Sequence, residues 1–178
     1  MIAVSKAIGL KNNNYWDSSS VVHNRKKLSD ILNGEYCQMT VYEVKNYPNI
    51  VDNTVSAFGS PISFGGFIAD VSKGRLVIPK GTKVIETSGM VCGSGYAHLY
   101  LKIVDENGNT IGNSQSTGIL VQSSGNNYWK HALPSFLVEL DETKIHYIYL
   151  VVSGYNNQQL TLNNGFGYSS FIKAKKIR

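Results

Sequence analysis

Charged residues and proline are both scarce in this chain. Asp, Glu, Lys and Arg make up 16% of the 178 residues, and there are only four prolines against 17 glycines. Disordered chains combine low hydrophobicity with high net charge, so this composition excludes disorder as the state of the whole chain. The length suffices to bury well over half of the surface of the unfolded chain. The composition therefore indicates one folded domain, rich in turns, with at most a short appendage.

Cysteine is nearly absent, and long apolar runs are missing. Cys37 and Cys92 lack the spacing of a zinc or redox motif, which leaves buried thiols as the expectation and a disulfide as an open alternative. Neither a metal nor a cofactor is predicted. No apolar run is long enough to span a bilayer, so membrane insertion is not expected. The residues after Met1 lack the basic, apolar and small-residue segments of a signal peptide, so no signal peptide is predicted and we expect synthesis in the bacterial cytoplasm.

Catalytic motifs are missing as well. The four histidines have no partner spacing, and none of the common hydrolase, metalloprotease or nucleotide-binding strings occurs. The carboxylates of Asp105-Glu106 and Asp141-Glu142 fall at predicted turns, where solvated charge is ordinary. Oxygen ligands in Asp105 to Asn109 would suit calcium, but Asn107-Gly108 is a strong hairpin signal and the EF-hand spacing is absent. We expect no catalytic residue and no enzymatic activity.

What the chain does have is alternation of apolar and polar residues with a period of two. In Tyr96 to Ile103, Ala97, Leu99, Leu101 and Ile103 share one face. Such alternation buries one face of each strand, so the strands must stack as a sandwich or close as a barrel. We predict an all-β fold, an antiparallel β-sandwich of about ten strands, with an irregular stretch over residues 47–66 and a strand near 135–140.

The first 35 residues read differently from the rest. Ser18 to Ser20 can cap a short α-helix over about residues 21–32, and Asn33-Gly34 can end it. A coiled-coil seam with one polar position is formed in that helix by Val21, Asn24, Leu28 and Ile31. A helix this short must pack on something, either its own sandwich or two further copies in a bundle. We predict an N-terminal attachment segment over 1–35 and a head domain over 36–178.

The net charge of +5 does not indicate a nucleic-acid site. The basic residues cluster near the start and at the end of the chain, with no aromatic stacking positions between them. Lys173 and Lys175 alternate with apolar residues. We therefore predict that they lie on the solvent-exposed face of a final strand and protect a sheet edge from pairing with other strands. Nucleic acid is therefore not an expected partner.

Three pieces of the last hundred residues resemble the C1q/TNF-like jelly roll, especially the head domains of bacteriophage tail fibres and receptor-binding proteins. They are Ile78-Pro79-Lys80-Gly81, then Asn107 to Ile111, then the strand Ile148 to Gly154. The resemblance implies a homotrimer in which an aromatic strand lines the three-fold axis, here through Tyr147 and Tyr149. The alternative is a core strand of a monomer, with both tyrosines hydrogen-bonded. Segments Ser18 to Arg25 and Leu28 to Leu32 are similar to those that precede the head in tail proteins of phages of Gram-positive bacteria. This favours the trimeric bundle and implies a virion protein whose N-terminal segment attaches to other virion proteins.

Two predicted loops have the composition of a sugar-binding surface, with exposed aromatic rings plus amide and hydroxyl groups. The candidate ligand-binding residues are Tyr128, Trp129, His131, Tyr155, Asn156 and Gln158. We expect a phage tail or fibre head that binds a host cell-wall glycan. The alternatives are a capsid decoration or head-fibre protein without a receptor, and a bacterial carbohydrate-binding or adhesion module. Trp129 as a buried core residue is the plain alternative to a sugar-binding one.

Overall fold

The computed structural model describes residues 22–23, 26–27, 34–41, 43–46, 52–94, 97–114, 117–119, 129–154, 159–162 and 170–178. These residues form sixteen β-strands and one 3₁₀ turn at Val71–Lys73. The strands are β1 (Val22–His23), β2 (Lys26–Lys27), β3 (Tyr36–Val41), β4 (Glu43–Asn46), β5 (Asp52–Thr54), β6 (Phe58–Phe64), β7 (Ile68–Asp70), β8 (Arg75–Ile78), β9 (Val84–Ser94), β10 (Ala97–Asp105), β11 (Thr110–Asn113), β12 (Thr117–Ile119), β13 (Trp129–Glu139), β14 (His146–Gly154), β15 (Gln159–Leu162) and β16 (Phe171–Lys176). Within the described part of the chain, no helix has the length and apolar character needed to cross a membrane.

Two antiparallel sheets form the sandwich. Sheet A has the strand order β11-β10-β14-β8-β7, with β12 beside β10 and β5 beside β14. Sheet B has the order β4-β15-β9-β16-β3-β6, with β13 beside β9. Because neighbours in each sheet are mostly not neighbours in sequence, the connections cross between the sheets as Greek-key arrangements require. The predicted all-β antiparallel sandwich is confirmed.

The core lies between the inner faces of the two sheets, as the alternation predicts. On β14, Ile148, Leu150 and Val152 are completely buried, whereas Tyr147 and Tyr149 lie half-buried on the outer face. From sheet B, the side chains of Met39 on β3, Ile85 and Val91 on β9, Leu133 on β13 and Ile172 on β16 reach the same core.

Several predicted boundaries were wrong. The stretch over 47–66 is not wholly irregular, because it contains β5 and β6. Both strands lack regular alternation: β6 has Gly59, Ser60 and Pro61 at mostly exposed positions of a sheet edge, where Pro is tolerated. The prediction that Lys173 and Lys175 protect an edge was also wrong, since their strand β16 lies between β3 and β9.

The helix predicted over residues 21–32 is not what the structure has at the four described residues of that stretch. Val22 pairs with Lys27 and His23 with Lys26 in a two-stranded antiparallel ribbon. Two intervening residues are the commonest spacing of a β-hairpin, and β-branched Val22 favours a strand over a helix. The seam residues Val21, Asn24, Leu28 and Ile31 lie outside the described residues. The division at residue 35 stays a prediction.

Candidate functional site

One end of the sandwich, which we name the upper end, collects the termini of six strands. Trp129, the first residue of β13, lies opposite Gly93 near the end of β9. Ala97, the first residue of β10, lies opposite both Gly154, the last of β14, and Ile119 of β12. Thr161 of β15 lies opposite Ser94. The described ends of the two candidate sugar-binding segments, Trp129 and Gly154, therefore lie at the same end of the sandwich although they are distant in sequence.

The backbone of Trp129 and His131 belongs to a strand rather than to a loop. Both residues lie in β13, where His131 is opposite Val91. The strand was predicted near residues 135–140, whereas β13 begins at Trp129. The structure accommodates Pro134 in a register shift between Leu133 and Phe136. Tyr128, Tyr155, Asn156 and Gln158 lie outside the described residues, and the sugar-binding role of all six residues stays a prediction.

The opposite end, the lower end, is built around the buried carboxylate of Asp105. That carboxylate accepts hydrogen bonds from the backbone N–H groups of Asn107 (3.0 Å) and Asn109 (2.8 Å), from Asn109 Nδ2 (3.0 Å) and from Lys144 Nζ (3.1 Å). These bonds, the Asn109 side-chain bond foremost, hold the pKa of Asp105 well below its usual range. Gly108 has φ 86, as the turn requires. Asp105 thus serves a hairpin turn, with its oxygens committed to N–H donors.

The predicted interface tyrosines lie on the outer face of sheet A, beside an arginine of the same chain. The Arg75 guanidinium lies 3.9 Å from the ring centroid of Tyr147, donates to Tyr149 Oη at 3.5 Å, and pairs with Asp70 at 3.3 Å. Part of the cover over these two half-buried rings is therefore supplied by Arg75 of the same chain. A role of Tyr147 and Tyr149 in a trimer interface stays a prediction.

The outer face of sheet B carries a shallow groove of about 280 Å³. Its lining side chains come from three adjacent strands and alternate with core residues: Tyr36 and Gln38 of β3, Glu86 and Ser88 of β9, Lys173 and Lys175 of β16. The register places them in two rows across the sheet. One row runs Gln38, Lys173, Ser88, and the other runs Tyr36, Lys175, Glu86.

Both lysines of the groove are exposed, and none of the ion pairs found among the described residues includes them. Lys173 Nζ lies 5.9 Å from the ring centroid of Phe171. Glu86 accepts a hydrogen bond of 2.5 Å from Ser135 Oγ on the neighbouring β13. The groove is therefore a basic surface in the middle of a sheet rather than at its edge.

Leu137 lies on the same outer face, at the β13 margin. Its side chain is 66% exposed, more than any other large hydrophobic side chain among the described residues. It is opposite Glu86, and Glu139, two residues further along β13, is exposed on the same side. The margin thus presents one apolar side chain flanked by carboxylates.

Comparison with solved structures identifies the fold of this sandwich. No protein-family model matches the chain, and no curated protein matches it either. Solved structures do. The Eiger TNF of S. frugiperda aligns with a TM-score of 0.56 at 8% identity, over 81% of this chain and 92% of that chain. The globular domain of zebrafish complement 1qA aligns with a TM-score of 0.55 at 10% identity, over 82% and 98%. This chain has the fold of a C1q/TNF-like jelly roll. Murine APRIL at pH 5.0 also aligns, with a TM-score of 0.52 at 11% identity, over 80% and 98%.

At such identities the likeness establishes the fold of the C1q/TNF-like jelly roll and nothing further. The predicted jelly-roll fold class is thereby confirmed. That the chain comes from a phage stays a prediction. Across the residues described, no group of three or more His, Cys, Asp or Glu side chains is arranged to hold a metal ion. Cys37 and Cys92 are both buried and are not joined in a disulfide.

Sequence reasoning missed the groove and Leu137 as features of this jelly roll. The groove depends on β16 lying between β3 and β9, which no local pattern encodes. Leu137 did carry a signal: in Phe136-Leu137-Val138, three apolar residues in succession cannot all face the core of a strand. One of them had to lie on the outer face.

Proposed function

We propose that this chain is the homotrimeric head of a phage tail or fibre, without enzymatic activity, that binds a host-surface saccharide at its upper end. The observation that supports the proposal is that Trp129 and Gly154, the described ends of the two candidate segments, lie at the same end of a C1q/TNF-like jelly roll. Binding residues commonly lie on loops held by a rigid scaffold. The phage context is supported by the sequence resemblance alone.

Assembly into a trimer has two candidate surfaces. Tyr147 and Tyr149 on sheet A are half-buried and already contact Arg75. The outer face of sheet B instead presents Leu137, together with Ile62 at 36% exposure. Sheet A also presents Ile68, which is 50% exposed and lies in the register row of Val77 and Tyr147. Exposed apolar side chains gain from burial in an interface, so both surfaces are supported.

The test of saccharide binding is Trp129→Ala. We expect purified cell-wall polysaccharide of Gram-positive bacteria to bind the wild-type protein, and binding to weaken by about 1–3 kcal/mol in the variant, with little change in melting temperature. Phe64→Ala is the matched control, because Phe64 is a partly exposed aromatic residue that stacks on Tyr36, at 5.1 Å between ring centroids.

Two results would contradict the proposal. A loss of about 3–5 kcal/mol of stability in Trp129→Ala would make Trp129 a core residue. Unchanged melting with unchanged polysaccharide binding would remove the β13 segment from the site and leave Tyr155, Asn156 and Gln158 as the remaining candidates.

A further inference from the structure

The outer face of sheet A carries three tyrosines on two adjacent strands, β10 and β14. Tyr100, Tyr147 and Tyr149 are half-buried and project from the face turned away from the core. The ring of Tyr147 is covered by the Arg75 guanidinium, 3.9 Å from the ring centroid. Because Tyr100 is opposite Val151, the register makes Tyr100 and Tyr149 diagonal neighbours, about 7–8 Å apart. Two partly exposed rings therefore lie side by side on a rigid sheet.

A row of polar side chains crosses the same face at the level of Tyr149. The register places these residues next to one another on five adjacent strands: Asp70, Arg75, Tyr149, Lys102 and Asn113. Arg75 is held within the chain, since it pairs with Asp70 at 3.3 Å and donates to Tyr149 Oη at 3.5 Å. Lys102 takes part in none of the ion pairs found among the described residues, and Asn113 is exposed. The row therefore offers a cation and an exposed amide beside the rings.

This arrangement suits a chain of sugars. A pyranose presents C–H groups on the faces of its ring, which pack on the apolar ring of a tyrosine, and hydroxyl groups around its rim, which bind amides and charged side chains. Two rings about 7–8 Å apart favour linked sugars over a single one. Lys102, two residues from Tyr100 and opposite Tyr149, favours sugars that carry a carboxylate.

Single-stranded nucleic acid also stacks on exposed aromatic rings, but the charge of this face is unfavourable to it. Nucleic-acid chains are held by a positively charged groove that follows the backbone. On this row Asp70 offsets the charge of Arg75, so the excess positive charge is that of Lys102 alone. A polymer with a carboxylate on its sugars needs no more than that.

We propose that the outer face of sheet A binds an acidic polysaccharide, with Tyr100 and Tyr149 packing on successive sugars and Lys102 pairing with a carboxylate. This site goes beyond the proposed function, whose saccharide site lies at the upper end and depends on Trp129. It requires the outer face of sheet A to be free, so copies of this chain would assemble through sheet B.

The chemistry of the ligand is tested with immobilised polygalacturonate, an acidic polymer of pyranose sugars, by biolayer interferometry. The wild type should bind it, and should bind the fully methyl-esterified polymer about tenfold more weakly, because esterification keeps the rings and removes the charge. Polyglutamate supplies carboxylates without sugar rings and should also bind about tenfold more weakly. Binding of polygalacturonate should weaken as NaCl is raised, because salt screens the pairing of Lys102.

The residues are tested by Lys102→Met and Tyr149→Ala, each of which should raise the Kd for polygalacturonate by about tenfold. Lys102→Met should in addition make the affinities for the acidic and the esterified polymer similar, which a loss of folded protein would not do. Tyr149→Phe keeps the ring and should retain binding. Lys83→Met is the matched control for charge and should bind normally, since Lys83 is exposed at the lower end and also takes part in none of the ion pairs found among the described residues.

Several results would overturn the inference. They are the absence of binding to polygalacturonate, and equal binding of polyglutamate or of the esterified polymer. Tighter binding of oligo(dT) would assign the face to single-stranded nucleic acid instead. A lower mass of Lys102→Met or Tyr149→Phe in light scattering would assign it to assembly.

The proposed function fails or holds separately. Loss of cell-wall polysaccharide binding in Trp129→Ala, with polygalacturonate binding unchanged in Lys102→Met, would support the upper end and overturn the site on sheet A. The reverse pair of results would support the site on sheet A and remove Trp129 from saccharide binding.

Discussion

His146 is a buried titratable group whose removal should change how stability depends on pH. Its side chain is completely buried on the inner face of β14, opposite Asp105 of β10 and Ile78 of β8. Neither ring nitrogen has a hydrogen-bond partner among the described residues. Burial lowers the pKa of His146 from its ordinary value of 6.5, the nearby carboxylates of Asp105, Asp141 and Glu106 oppose that shift, and Lys144 adds to it.

The direction of the pH effect follows from this lowered pKa. Below about pH 6.5 the unfolded chain binds a proton at His146 that the folded chain takes up only at lower pH. The free energy of unfolding therefore falls as pH drops from 7 toward the folded-state pKa, by about 1.4 kcal/mol per pH unit at most. His146→Leu should abolish this decline. The substitution should also raise the free energy of unfolding by about 1–3 kcal/mol, because it removes an unsatisfied buried polar group. Imperfect packing of the leucine should offset part of this gain.

Urea unfolding at pH 7, 6 and 5 measures both effects. We expect His146→Leu to match or exceed the wild-type stability at pH 7, with the difference growing toward pH 5. His98→Leu removes an exposed imidazole from the neighbouring strand β10 and serves as the control. If wild type and His146→Leu lose stability in parallel over this range, the imidazole is not the group that couples pH to folding.

Three further predictions concern stability and the thiols. Burial raises the pKa of Cys37 to about 12, and Cys92 is equally buried. Both thiols should therefore resist a thiol reagent in the native protein and react with it after unfolding without reductant. Reaction only after reduction would contradict this prediction. Asp105→Asn should lower the melting temperature at pH 7, as measured by calorimetry. The difference from wild type should shrink as pH falls below about 4, because the stability that the low pKa of Asp105 contributes is lost there. A difference that stays constant with pH would contradict this prediction. Ser170→Ala should lower the free energy of unfolding in urea by about 2–3 kcal/mol. The reason is that the buried Ser170 Oγ accepts a hydrogen bond from the Cys92 N–H at 2.7 Å and donates one to the Cys92 carbonyl at 3.1 Å. A decrease below about 0.5 kcal/mol would show that water replaces both bonds.

The architecture was predictable wherever one strand face is buried. In β10 the alternation gave the inner face correctly, because a shift by one residue would have put Leu99, Leu101 and Ile103 into water. The same reasoning failed at β6, whose edge position leaves most of its residues exposed whatever their character. It failed again at Pro134, where a bulge admits a residue that a regular central strand would exclude.

The candidate site was predictable only in part, and the reason is strand order. The composition of the two candidate segments is local, so they could be identified from the sequence. That their described ends, Trp129 and Gly154, lie at the same end of the sandwich depends on β14 pairing with β10 and β13 pairing with β9. Likewise, the alternation of Lys173 and Lys175 predicted an outward face but not its place between β3 and β9. An edge lysine needs no partner, because it repels unwanted strands. On a central strand each lysine instead lies in register with a side chain on either side, Lys173 with Gln38 and Ser88 and Lys175 with Tyr36 and Glu86, and only the order of the strands decides these neighbours.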